Sequence, residues 1–258
     1  MKLWRKIVIL IMLLIFAAGL GVLLYPSLQG AITDRRIIQE AHEFLEMLET
    51  IPTKPEAKET EPTEPTDPIE TEPVLYPELL YAMQSYNQQI WEEKQAGLCD
   101  PWSYEQPSFT LGDYGLEDEV FGVITIPRLQ LEMPIYLGAT NQHMADGAAH
   151  LSQTSLPIGG ENTNCVVAGH RGYNGASYFR YIEKLKVGDV VSITNLWETL
   201  TYRVAEIKII DPHEVKEILI QDGRDLVTLL TCHPYASGGR QRYVVYCERI
   251  ETAITPTT

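Results

Sequence analysis

The sequence predicts a mainly β domain, a closed or nearly closed β-barrel with short helices, preceded by an N-terminal helical region and one transmembrane helix. Three observations carry that expectation. From Val120 onward, short β-rich runs follow one another closely, including "VFGVITIP", "EMPIYLG", "NCVVAGH", "VVSITN", "LTYRVAEIKII", "LVTLLTC" and "RYVVYCERI". Gly, Pro, Asn or Asp punctuates many of the gaps between them, a spacing that suits a barrel better than a parallel α/β sheet. Near the N-terminus, "IVILIMLLIFAAGLGVLLY" runs without a charge over residues 7–25, about the 20 apolar residues needed to cross a bilayer core.

The elements follow in order. Lys2, Arg5 and Lys6 precede the apolar run, so the positive-inside rule keeps residues 1–6 cytoplasmic and places the remainder outside the cell. The run is longer than the apolar core of a cleaved signal peptide, and "AAGLG" lies inside it, which favours an uncleaved anchor. "ITDRRIIQEAHEFLEMLET" has helical apolar spacing, so residues 26–50 are expected as a juxtamembrane helix. Residues 51–74 are rich in Pro, Thr and Glu, cannot bury enough apolar area to offset their ordering entropy, and read as an extended, self-repelling tether. "PELLYAMQSYNQQIWEEKQAG" is a second helix ended by Gly97, and "LCDPWSYEQPSF" is irregular; together they occupy the segment 75–117. The barrel is expected over 118–251, interrupted by one helical stretch near "ASYFRYIEKL", with 252–258 as a tail.

Composition narrows the function. The formal net charge is -15, which argues against a nucleic-acid partner, because phosphate binding needs a basic footprint. Four cysteines stand at 99, 165, 232 and 247 without CxxC spacing, and no metal-ligand cluster or phosphate-binding loop is visible, so no cofactor is assigned. Cys165 and Cys247 lie in apolar runs and read as small buried hydrophobes.

Cys232 differs, because it ends the run "LVTLLT" and a strand edge is a rigid mount for a nucleophile. Its thiolate is the reactive form and needs cationic neighbours. His233 is adjacent, but successive side chains of an extended segment face opposite ways, so it is a poor partner. "VVAGHRGY" offers His170 at another strand end, with Gly169 removing local bulk; His42, His143, His150 and His213 have no comparable setting. Of the two nearby arginines, Arg242 opens the strand "RYVVY", whereas Arg240 follows Gly238-Gly239 in a loop. A strand-held guanidinium keeps its geometry better, and catalysis needs preorganised donors, so Arg242 is the candidate.

"TLLTC" followed by a strand-opening arginine, with "AGHRG" upstream, resembles the sortases, membrane-anchored cysteine transpeptidases of Gram-positive bacteria. "GVITIPRLQLEMPIYLG", "HLSQTSLPIGGENTNCVVAGHRGYNGASYFRYIEKLKVGD" and "VTLLTCHPY" follow the family in order, over about residues 81–250. "SLPIGG", "AGHRG", "TCHPY" and the "DPW" of Asp100 to Trp102 are similar to the class C, pilin-polymerising branch. The resemblance implies a sortase-like closed antiparallel β-barrel with Cys232 as nucleophile, His170 as general acid/base and Arg242 as the arginine that holds substrate backbone or developing oxyanion. It implies cleavage of an LPxTG-like sorting signal between Thr and Gly, a thioacyl intermediate, and transfer to an amine, in class C a lysine of another pilin subunit. It also implies a lid in which Asp100 approaches the catalytic arginine or cysteine and Trp102 covers the thiol.

The chain departs from class C in two respects. No second hydrophobic segment precedes the end at "ETAITPTT", and an acidic Pro/Thr spacer separates the anchor from the lid. These leave open a wall-anchoring enzyme with a peptidoglycan amine as acceptor. Further alternatives are a thiol protease resolved by water and a catalytically silent tethered binding module. The expected partners are LPxTG-like surface or pilin proteins. The expected location is the cell membrane, crossed once, with the catalytic domain extracellular.

Overall fold

The computed structural model describes residues 2–50, 74–98 and 109–250. The Pro/Thr-rich tether, Cys99 and the "DPW" segment with Asp100 and Trp102 lie outside them.

A single helix of 49 residues, α1 (Lys2–Thr50), contains both the apolar run and the segment after it, passing through Pro26. Its N-terminal part is one helix long and apolar enough to cross a membrane, with a mean hydropathy of 3.1 in its most apolar window and none of that window buried. Its C-terminal part behaves differently. Gly30, Asp34, Ile37, Ala41, Phe44 and Leu48 recur at the three- and four-residue spacing of one helical face. Ile37, Ala41 and Phe44 are buried, and Asp34 and Leu48 partly so. That face lies on the barrel, against β1 and β2. α2 (Pro77–Glu92) opens on Pro77, where the missing N–H would be unpaired in any case, and buries Leu79, Met83, Asn87 and Ile90.

The barrel comprises β1 (Val120–Ile126), β2 (Leu131–Leu137), β3 (Ala148–His150), β4 (Thr163–Ala168), β5 (Val190–Thr194), β6 (Thr199–Ile210), β7 (Asp225–His233) and β8 (Gln241–Arg249). It closes in the order β1-β2-β3-β4-β7-β8-β6-β5, with β5 pairing back to β1. Closure leaves no edge strand in the sheet. The antiparallel expectation holds for most ladders, but β2–β3 and β4–β7 are parallel. Parallel neighbours need crossovers, and these occupy the long connections: 138–147, which contains the short helix α3 (Asn141–Asp146), and 169–224. The helix expected near "ASYFRYIEKL" is only the 3-10 turn Ile182–Lys184. Tyr178 is left-handed with φ 41°, and Tyr178, Phe179 and Ile182 all turn inward, so burial overrides the local helical pattern.

The barrel interior is one apolar cluster, including Ile124, Ile135, Val167, Val191, Leu200, Leu229 and Val245, and Ile37 of α1 joins it. A second cluster cements α1 and α2 to the barrel through Ala41, Phe44, Leu79, Met83, Phe121 and Leu156. Cys165 and Cys247 are buried and free, as small hydrophobes of the core; burial pushes both thiols well above their ordinary range, which leaves them unreactive.

Candidate active site

Cys232 stands at the C-terminal end of β7, partly exposed. β7 and β8 run antiparallel, and their register sets Cys232 directly opposite Arg242. Directly opposed residues project to the same face of a sheet, so the pairing brings the guanidinium to the thiol. Arg242 Nη1 lies 4.0 Å from Cys232 Sγ. The same nitrogen donates to the carbonyls of Gly239 (2.6 Å) and Gln241 (3.1 Å), which fixes the head of the side chain. Arg240, by contrast, is exposed. The turn joining the two strands passes close over the thiol: a Cβ on Gly239 would stand 3.2 Å from Cys232 Sγ.

His170 is reached through the parallel neighbour. β4 pairs with β7 in the register Ala168 to Leu230, and Gly169 N donates to Leu230 O at 3.1 Å. His170 lies two residues past Ala168, as Cys232 lies two past Leu230, so both stand at the same end of the paired strands. Thr231 Oγ1 donates to Gly169 O at 2.7 Å, pinning the segment immediately before the histidine. Gly169 is required there, since a Cβ would sit 2.7 Å from the Phe179 ring. The His170 ring stacks on Tyr173 (4.6 Å between centroids, 22°) and meets the edge of Tyr178 (5.7 Å, 84°). Burial in this slot disfavours the imidazolium and lowers the pKa of His170 below its ordinary value.

The sequence did not signal the charged network behind these groups. Arg171, only 5% exposed, turns away from His170 and donates to the Cys232 carbonyl (3.3 Å) and to His233 Nδ1 (3.0 Å). It pairs with Glu183 at 2.5 Å, and Glu183 also lies 3.2 Å from His233 Nδ1. With its proton on Nε2 the His233 ring accepts from Arg171 through Nδ1; with a proton on Nδ1 it donates to Glu183 instead. His233 therefore lies on the face away from the thiol, as strand alternation requires, and braces the end of β7. Arg171 ties the residue after His170 to the backbone of Cys232. Its only sequence signal is adjacency to His170, and Glu183 has none. Among the described residues, no cluster of His, Cys, Asp or Glu could hold a metal.

A strand-borne thiol faced by a fixed guanidinium, with an imidazole at the end of the neighbouring strand, is the equipment of a cysteine acyl-transfer site. The family described as the sortase domain matches residues 124–250. Sortase C1 of GBS pilus island 1 superposes with a TM-score of 0.62 at 32% identity, over 71% of this chain and 86% of that one. Sortase C-1 from Actinomyces oris gives 0.60 at 34%, over 69% of this chain and all of that one (100%). Sortase D of Bacillus subtilis is 28% identical over 131 residues, which are 50% of this chain. That match spans 63% of the Bacillus protein, somewhat under two thirds of its length. The chain belongs to the sortase family, whose members are cysteine transpeptidases, and its solved structural neighbours include class C sortases.

Proposed function

We propose that this chain is a membrane-anchored, extracellular transpeptidase that cleaves an LPxTG-like sorting signal and joins it to an amine. The observation that carries the reading is the register of Cys232 opposite Arg242, with His170 at the end of the adjoining strand. In the proposed cycle the Cys232 thiolate attacks the Thr carbonyl of the signal. Arg242 faces the oxygen that gains negative charge, where one such donor is worth roughly 2.7–4 kcal/mol in the transition state. His170, which burial makes harder to protonate than a free histidine, must enter the cycle as imidazolium; it gives its proton to the leaving glycine amine, and a thioester remains on Cys232. The incoming amine passes its proton to His170 as it displaces the thiolate, which restores the starting state.

The likeness to sortase C1 of GBS pilus island 1 supports a lysine of a pilin subunit as the amine. A peptidoglycan amine is the second acceptor. Asp100 and Trp102 are proposed as the lid on the strength of the "DPW" segment; they lie outside the described residues. The basic N-terminus and the apolar part of α1 support a cytoplasmic start and an external barrel.

The test incubates the protein with an LPxTG peptide and, in separate reactions, a pilin-derived lysine peptide and a glycine amine. Transfer to lysine supports pilus assembly, transfer to glycine supports wall anchoring, and hydrolysis alone supports a thiol protease. Cys232→Ala is expected to abolish turnover; turnover that survives it overturns the assignment of the nucleophile.

A further inference from the structure

We propose that α1, the helix carrying the apolar span, is also a positioning element of the active site, and that Asp34 is the residue through which it holds the His170 loop. The proposal rests on the reading of His170 as the acid/base group.

The segment from His170 to Tyr178 leaves the barrel at the end of β4 and supplies both rings that enclose the imidazole, Tyr173 and Tyr178. It has little internal support. Its own backbone ties are the Tyr173–Ala176 pair (3.2 and 2.9 Å) and Phe179 N donating to His170 O (2.9 Å). Asn174 (φ 47°) and Tyr178 (φ 41°) are left-handed without being glycine. Such backbone persists only where its surroundings hold it. Much of the external holding comes from α1.

Asp34 accepts two hydrogen bonds from Ser177, from the backbone N–H at 2.8 Å and from Oγ at 3.2 Å. One turn earlier, Gly30 abuts Gly175: a Cβ on Gly30 would collide with the Gly175 carbonyl, and one on Gly175 with the Pro26 carbonyl. One turn later, Ile37 joins the same core cluster as Ala176, Tyr178 and Phe179. A second tie runs through Ala145, whose carbonyl accepts from Tyr178 Oη (2.7 Å) and Arg36 Nη2 (3.3 Å), with Arg36 paired to Asp146 at 2.6 Å. Three successive turns of α1 thus grip the loop that stacks on His170. Pro26 directly follows the apolar run, and at 1.5 Å per residue Asp34 stands about 14 Å beyond its last residue. The membrane anchor and the histidine loop are then one rigid piece, and anchoring sets both the height and the attitude of the site.

A helix that merely docked on the barrel would contribute stability alone. The discriminating readouts are the kcat against KM split and the ring-current shift that Tyr173 and Tyr178 impose on the His170 ring protons. The experiment uses the full chain in lipid nanodiscs with labelled histidine, comparing Asp34→Ala, Asp34→Asn, Gly30→Leu and His170→Ala. Asp34→Ala and Gly30→Leu are expected to lower kcat for peptide transfer about 10- to 100-fold, the scale set by a misplaced catalytic group, with KM little changed. The His170 resonance should lose its ring-current shift in both. Asn keeps an oxygen that accepts from Ser177, so Asp34→Asn should restore the resonance and most of kcat. An unshifted His170 resonance in both Asp34→Ala and Gly30→Leu overturns the proposal. So does a shifted resonance with unchanged kcat, a change confined to KM, or an Asp34→Asn protein as impaired as Asp34→Ala. Transfer by His170→Ala at the parent rate would instead remove the acid/base reading, while the resonances of the other variants still report whether the clamp exists.

Discussion

At the scale of single residues, the site depends on where one guanidinium nitrogen is held. Arg242 Nη1 is fixed by two carbonyls and faces the sulfur at 4.0 Å. A lysine offers a point charge on a flexible stem in place of a planar fork. Arg242→Lys is therefore expected to keep the fold and lose on the order of 10²-fold in kcat/KM, read by peptide transfer alongside an unchanged thermal melt. His150 poses a different residue-scale question. It is fully buried in β3; its Nε2 lies 3.2 Å from Thr154 O, and its Nδ1 has no hydrogen-bond partner. Burial holds its pKa down at about 4, against 6.5 for the free side chain. Between those values the unfolded chain binds the proton and the folded chain does not, so stability rises with pH there. The contribution is complete above pH 6.5 and is lost as pH falls toward 4; the shift corresponds to on the order of 3 kcal/mol. Chemical unfolding at neutral pH and near pH 4.5 should show His150→Gln with a shallower loss on acidification than the parent.

At the scale of elements, α2 is attached by polar as well as apolar contacts. Asn87 is buried; its Oδ1 accepts from Leu156 N at 2.7 Å and its Nδ2 donates to Leu156 O at 3.4 Å. Tyr86 Oη accepts from Gln153 N at 3.1 Å, and Gln95, in the turn just after α2, bridges Gln153 O (3.1 Å) and Ile220 N (2.6 Å). α2 therefore clamps the connection between β3 and β4, the strand that leads to His170. Asn87→Ala leaves the Leu156 N–H buried without its partner, a loss of about 1–3 kcal/mol, which should appear as a lower unfolding midpoint with a smaller effect on kcat. The apolar pattern of α2 was legible in its sequence, since Leu79, Met83 and Ile90 fall on one face. The role of Asn87 was not, because a polar residue on a buried face is informative only once its partner, 69 residues away, is known.

At the scale of the whole molecule, the chain is a rod joined to a barrel. The exposed apolar half of α1, long and apolar enough to cross a membrane, and its barrel-facing half are parts of one helix, so the two halves share a common axis. The candidate active site lies at the barrel end at which β4 and β7 finish and β8 begins. The same end meets α1 through Asp34, Gly30 and the 170–178 loop. The net charge of -15 acts on the molecule as a whole through self-repulsion and contributes nothing specific to this site.

The apolar run, the series of β-rich segments and the placing of Cys232 and Arg242 at strand ends could all be read locally, because each is written in contiguous residues or in short spacing. Strand alternation was enough to set His233 aside, and strand membership was enough to prefer Arg242 over Arg240. The parallel β4–β7 ladder, the Arg171–Glu183–His233 brace and the grip of α1 on the histidine loop could not be read that way. Each depends on which distant segments become neighbours when the barrel closes. Asp34 and Ser177, 143 residues apart, carry no mark in the sequence that they meet. Long-range pairing is settled by the closure of the barrel and the burial of its apolar faces, and local pattern does not encode it.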